Sequence, residues 1–269
     1  MPDAQPVSLH CFAHAGAGVS AFHAWPAQLG PGVVPVVHLL PGRDHRRREP
    51  RVTTREALLA DLADGFRAPG GPYVLYGHSL GALVAYILAR VLHEAGLPTP
   101  ALLAVGACPP PDAASKLFDA CRKSPDRLLG LLDSIGAVPE GARPGGLWHR
   151  EVLPVLLDDL TLADNLRRAA REPVTSGPFA VPVLAVAGDG DPLAPPGAMA
   201  GWADWTTGPV VRRTVVGDHF FVRGHALPGL LGRACRTVSR IAGTAGTGPP
   251  TADAVSAEAP LVMDIAYGE

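Results

Sequence analysis

The stretch from Pro72 to Tyr86, PYVLYGHSLGALVAY, constrains what this chain can fold into more than any other. Tyr73 to Tyr76 are aromatic, β-branched or large apolar residues after a Gly70-Gly71-Pro72 break, which suits a short parallel strand buried on both faces. Gly77 ends it. From Leu80 to Ala95 the chain carries good helix formers that are apolar on nearly every side, and Gly96 and Pro98 follow as stop signals, so a buried helix is expected. Ser79 sits at the junction, within Gly77-His78-Ser79-Leu80-Gly81. In this G-x-S-x-G pattern a sharp turn lifts the serine hydroxyl above the sheet edge and aims the next helix N-terminus at it. The glycines are needed where the backbone doubles back. Ser79 is therefore a candidate nucleophile, set against the plainer reading of a turn serine. Because the pattern recurs by chance in a chain with 31 glycines, a suitable acid and base downstream must decide.

The rest of the chain repeats the strand-helix rhythm. Strands are predicted over Val7 to Phe12, Val33 to Leu40, Leu102 to Ala107, Val181 to Ala187 and Val210 to Val216. Helices are predicted over Ala21 to Leu29, over Thr53 to Phe66 with a capping box of Thr53 and Glu56, and over Gly224 to Ile241. This alternation implies an α/β fold, a mainly parallel, doubly wound sheet with right-handed crossovers. The rhythm breaks between Cys108 and Gly177, where only helical pieces occur: Ala113 to Cys121, Pro125 to Ile135 capped by Ser124, and Leu147 to Arg171 interrupted by Pro154. An inserted helical lid over about residues 109–178 is expected. Along its last piece Trp148, Val152, Val155, Leu156, Leu160, Ala163 and Leu166 recur at helical spacing. Such a stripe suits plain core packing, and over a site it also suits an apolar pocket, for which Trp148, Val152, Leu156 and Leu160 are the candidates.

Composition narrows the class. At 269 residues, 47% hydrophobic and 18% charged, the chain is long enough for one large α/β domain, taken as residues 1–242. Residues 243–269 turn to Gly, Thr, Pro, Ala and Asp, and a low-complexity disordered tail is expected there, with Pro260 to Tyr267 as its one apolar stretch. A net charge of −2 favours neither nucleic acid nor an anionic membrane as partner. No apolar run approaches bilayer-spanning length and no leader pattern precedes the first strand, so a soluble, cytoplasmic protein is expected. Cys11, Cys108, Cys121 and Cys235 show no metal-type spacing and read as free, mostly buried thiols, with no metal site.

Two loops carry the chemistry that Ser79 would need. After the fifth strand comes Gly188-Asp189-Gly190-Asp191-Pro192, and after the last comes Gly217-Asp218-His219-Phe220-Phe221. The chain order Ser, Asp, His is that of α/β-hydrolases. Asp191 is preferred to Asp189 because it lies beyond the turn, and His219 is preferred to His225, which falls to the closing helix. His78 reads as a packing and hydrogen-bonding residue. The glycine-rich turn His14-Ala15-Gly16-Ala17-Gly18 after the first strand lacks P-loop spacing. It can instead supply an oxyanion-hole amide, Ala15 first and Gly16 next, beside that of Leu80. The basic run Arg43 to Arg48 reads as a solvated loop, or else as a patch meeting a phosphate or an acidic protein face.

Four segments together, Cys11 to Gly18 with Phe22 and Trp25, Leu40-Pro41-Gly42-Arg43, Gly77 to Gly81 and Gly217 to Phe221, resemble the type II thioesterases of polyketide and nonribosomal peptide assembly lines. The resemblance covers roughly Ser8 to Arg240 and implies an α/β-hydrolase fold. It further implies a discrete, monomeric editing enzyme that hydrolyses acyl groups stalled on the phosphopantetheine arm of carrier proteins, with no cofactor of its own. Ser79, Asp191 and His219 then become nucleophile, acid and base. The chain departs from the family pattern at Ala13 and Gly16-Ala17-Gly18, in the arginine missing from Leu153 to Leu160, and in a tyrosine missing around Asn165. These bear on pocket shape. The competing readings are an ester hydrolase, an acyltransferase or cyclase, and a non-catalytic docking protein with a hydrolase fold.

Overall fold

A computed structural model describes residues 6–245. Six parallel strands, β1 (Val7–Phe12), β2 (Val33–His38), β3 (Tyr73–His78), β4 (Leu102–Gly106), β5 (Val183–Gly188) and β6 (Val210–Val215), form one sheet in the order β2-β1-β3-β4-β5-β6. The helices are α1 (Trp25–Gln28), α2 (Arg55–Gly65), α3 (Leu80–Glu94), α4 (Lys116–Lys123), α5 (Pro125–Ser134), α6 (Leu153–Ala170) and α7 (Ala226–Ala245).

The sheet has a core on each face, and the side-chain alternation of β3 shows why Tyr73 to Tyr76 are all large aromatic or aliphatic residues. Tyr73 and Leu75 pack with Leu103, Val105, Leu83 and Leu166 on the side of α2, α3 and α6. Val74 and Tyr76 pack with Cys11, Trp25, Leu227 and Leu231 on the side of α1 and α7. A strand covered on both sides takes apolar residues on either face, or a polar one whose hydrogen bonds are met inside, as at His78. Helix α3 is buried along nearly its whole length, and Arg90 within it donates to the Ala170 carbonyl at the end of α6 at 2.6 Å. The order in which strands are laid down reverses between β1 and β3, and the crevice beyond the carboxyl ends of these strands is where open α/β sheets bind ligands.

Several local expectations shift. Residues 21–29 do not form one helix: a 3₁₀ turn over Val19–Phe22 precedes the four-residue α1, since Pro26 fits only a first turn. The cap of α2 is Thr54, whose Oγ1 accepts from the Ala57 amide, rather than Thr53. Pro154 does not interrupt a long helix but opens α6, after a π-helical turn over Trp148–Val152. The first lid helix starts at Lys116 with Ser115 as its cap. His225 precedes α7 instead of lying in it, and α7 runs to Ala245, three residues into the span expected to be tail. Residues 246–269, with the apolar stretch Pro260 to Tyr267, lie outside the described residues.

Candidate active site

The elbow is a matter of backbone clearance. A Cβ on Gly77 would stand 1.9 Å from the Gly81 carbonyl oxygen, and one on Gly81 would stand 2.1 Å from that of Phe12. Only glycines let β3 turn into α3 this closely against β1. Between them Ser79 takes φ 55° and ψ −115°, a conformation that costs a non-glycine residue about 1–3 kcal/mol. Its amide is tied to the Gly106 carbonyl at 2.8 Å, so β4 helps hold the strained turn.

The loops after β5 and β6 bring the other two groups to it. His219 Nε2 lies 3.3 Å from Ser79 Oγ, while its Nδ1 lies 2.9 and 3.1 Å from the two oxygens of Asp191. This network assigns the proton of the neutral ring to Nδ1, donating to the carboxylate and leaving Nε2 to accept from the serine hydroxyl. Asp191 also accepts the amides of Leu193 and Ala194 at 2.8 and 3.0 Å. Burial pushes its carboxyl upward, but the His219 hydrogen bond and charge and these two amides outweigh it, and the group titrates below its ordinary range. Asp189 takes a different part: its Oδ1 accepts the Gly217 amide at 2.9 Å and so steadies the loop that carries His219. His225 is exposed.

His78 supports the arrangement from below. The Tyr76 hydroxyl donates to its Nδ1 at 2.8 Å and its Nε2 donates to the His219 carbonyl at 2.7 Å, which fixes one tautomer and holds the backbone of the loop. Burial first, then the charges of His14 and His219, keep the His78 ring neutral well below its ordinary pKa. His14, packed at 5.1 Å against the Phe220 ring, is pushed down to about 3 by burial and by Arg223 and His219.

Above Ser79 opens a cavity of about 420 Å³. Ala15, His14, His219 and Phe220 line its floor side, and the lid candidates Trp148, Val152, Leu156 and Leu160 all line it as well. The helical stripe is divided: Leu156 and Leu160 pack with Leu128, Leu132 and Ile135 around the cavity, whereas Ala163 and Leu166 enter the core on the sheet. Leu117, Leu132 and Ile135 also line the cavity and were not signalled by any motif, since α4 and α5 meet it only through tertiary packing.

The arginine run is divided between paired and exposed side chains. Arg43 turns inward, 8% exposed, and forms a two-pronged pair with Asp159, which is 1% exposed. Arg46 is taken by Glu49 and Asp61, leaving Arg47 and Arg48 exposed. Asp159 also accepts the Gly16 amide at 2.7 Å, so of the two loop amides expected at an oxyanion hole, Gly16 is already engaged. The signal for Asp159 was present in the sequence: a carboxylate three residues after Leu156 and four before Ala163 falls on the buried stripe of α6 and requires a partner. Among the described residues no cluster of three or more metal-binding side chains occurs, and no helix is long and apolar enough to cross a membrane.

A parallel sheet of this order, with serine, carboxylate and histidine meeting on the loops after β3, β5 and β6, defines an α/β-hydrolase. Residues 7–237 match the model of the thioesterase domain, and the chain belongs to the thioesterase family. It is 32% identical over 227 residues to thioesterase PikA5 of Streptomyces venezuelae, covering 80% of this chain and 75% of that one. It is 30% identical to a probable cadicidin biosynthesis thioesterase of Streptomyces griseus, over 83% of this chain and 60% of the relative. Among solved structures, RedJ, a thioesterase from the prodiginine biosynthetic pathway of Streptomyces coelicolor, superposes with a TM-score of 0.73 at 34% identity, covering 87% of each chain. The type II thioesterase BorB from the borrelidin biosynthetic cluster does so with a TM-score of 0.70 at 28% identity, over 88% of this chain and 94% of BorB.

Proposed function

We propose that this chain hydrolyses acyl thioesters carried on the phosphopantetheine arm of carrier-protein domains, removing stalled or aberrant acyl groups from a polyketide or nonribosomal peptide synthase. The observation that carries this reading is the hydrogen-bonded series Asp191, His219, Ser79 at the floor of a largely apolar cavity, in a chain of the thioesterase family. His219 Nε2 takes the hydroxyl proton as Ser79 Oγ attacks the thioester carbonyl, and the amides of Ala15 and Leu80 receive the developing oxyanion. His219 returns that proton to the sulfur as the C–S bond breaks, and the pantetheine thiol leaves. Water then attacks the acyl-serine with His219 again as base, which releases the carboxylic acid and restores the serine. Asp191 stays ionised and orients the imidazole. Water and three side chains supply every reactant besides the substrate, so the reaction needs no cofactor.

The test is a panel of short, branched and long acyl groups loaded on a carrier protein, compared with the same acyl groups on coenzyme A and on a simple aryl alcohol. Higher kcat/KM for the carrier-bound thioesters supports editing. Preference for the aryl esters, or transfer of the acyl group to an added amine or alcohol in place of water, contradicts it.

A further inference from the structure

The glycine-rich turn after β1 is held from outside itself, and the way it is held bears on catalysis. The Gly16 amide donates to Asp159 Oδ2 at 2.7 Å. The same carboxylate receives Arg43 Nη1 at 2.7 Å and Nη2 at 2.6 Å, and Nη1 also donates to the Ala17 carbonyl at 3.2 Å. Three distant segments thus share one buried carboxylate: the turn after β1, the loop after β2 and helix α6.

A buried ion pair on its own is weak grounds for assigning a purpose, since two apolar residues of similar volume often hold a fold together as well. What an apolar pair cannot supply is an acceptor for the Gly16 amide. Gly16 has φ +76°, and a Cβ there would stand 3.5 Å from Leu156, so the turn lies directly against α6, one helical turn before Asp159. With the carboxylate gone, that part-buried amide has no partner, and the peptide must rotate to find water. The preceding peptide, whose N–H is the Ala15 amide, moves with it.

We propose that Asp159, gripped by Arg43, is a positioning residue that keeps the Ala15 amide aimed at the oxyanion. Because Asp159 belongs to α6, the oxyanion site is complete only while α6 is seated on the turn, and lid and hydrolytic centre are thereby coupled. This rests on the reading of Ser79 as nucleophile.

Two double variants separate positioning from mere support. Arg43→Met with Asp159→Leu removes both charges and leaves Gly16 without an acceptor; Arg43→Gln with Asp159→Asn removes both charges but keeps an oxygen for that amide. Thermal midpoint, kcat and KM are measured on a p-nitrophenyl acyl ester, whose hydrolysis needs the oxyanion hole whatever the leaving group. The apolar pair is expected to lower kcat about 100-fold with KM within about two-fold, as for a lost oxyanion donor, and the polar pair to recover at least about ten-fold of that. A folded apolar pair with wild-type kcat, or equal kcat losses in both pairs, overturns the proposal. Should the apolar pair not fold, the smaller pair Arg43→Leu with Asp159→Ala is compared with wild type by amide exchange with an alkylboronic acid bound to Ser79: slowing at the Ala15 amide that is seen in wild type and lost in the variant supports the proposal, and slowing equal in both, or absent from wild type, overturns it. Wild-type protein that neither cleaves the ester nor reacts with a fluorophosphonate at Ser79 would instead refute the nucleophile reading beneath it.

Discussion

Asp191 and Asp189 are two residues apart, yet only one of them touches the His219 ring, and the difference sets a sharp expectation for substitution. Asn at position 191 can still accept the Leu193 and Ala194 amides through its oxygen, but its NH₂ then faces Nδ1 and drives the ring to the opposite tautomer. Asp191→Asn should therefore keep its urea midpoint and lose about 10⁴-fold in kcat. A comparable loss of stability would mean that the residue is only structural. Gly77→Ala predicts the reverse kind of failure, because its methyl meets backbone at 1.9 Å and backbone cannot rotate away. It should cost about 3 kcal/mol or more and be recovered, if at all, as poorly folded protein; a wild-type urea midpoint would contradict the packing argument. That Ser79, Asp191 and His219 stand just beyond strand ends was legible in the sequence, because a glycine, Gly77, Gly188 or Gly217, closes each strand pattern shortly before them. For Asp159 the stripe of α6 announces a buried carboxylate but not what meets it, because Arg43 and Gly16 lie 116 and 143 residues away.

Helix α6 shows how one amphipathic stripe serves two interiors. Its carboxyl half, with Leu162, Ala163 and Leu166, belongs to the core on the sheet, and its amino half, with Leu156 and Leu160, walls the cavity over Ser79. Periodicity reveals that such residues are buried but not against what, which is why core and pocket were indistinguishable until the helix was placed. The consequence is a handle on specificity. Leu160→Trp fills part of the cavity and should reduce kcat/KM for long acyl chains about ten-fold or more relative to acetyl, while fluorophosphonate labelling of Ser79 persists. Equal losses for both chain lengths would place the acyl group elsewhere. Strands were easier to read than the segment over residues 19–29, where Pro26 confines helix to a single short turn and side-chain packing of Phe22 and Trp25 decides the path.

On the scale of the whole molecule, the sheet buries imidazoles that must stay neutral, and this gives the fold a pH dependence. His10 and His38 stack at 5.1 Å between β1 and β2; burial, then the charge of its partner, pushes His10 down to about 3, and burial pushes His38 down to about 4 against the pull of Asp61. His14 is lowered to about 3 likewise. The unfolded chain takes up these protons near pH 6.5 and the folded one does not, so the stability is complete above that pH and is lost as pH falls from about 6.5 towards 4 and 3. The urea midpoint should drop steadily between pH 7 and pH 5, and a flat profile would contradict the burial of these rings. The α/β order was legible from alternation alone, whereas the convergence of four loops on one cavity needed the sheet. If the convergence makes Ser79 the nucleophile, rapid-quench peptide mapping with an acyl-loaded carrier protein should find the acyl mass on the peptide containing Ser79, appearing with an equal amount of free pantetheine thiol. Thiol released at an undiminished rate by Ser79→Ala, with no acyl group on that peptide, would contradict it.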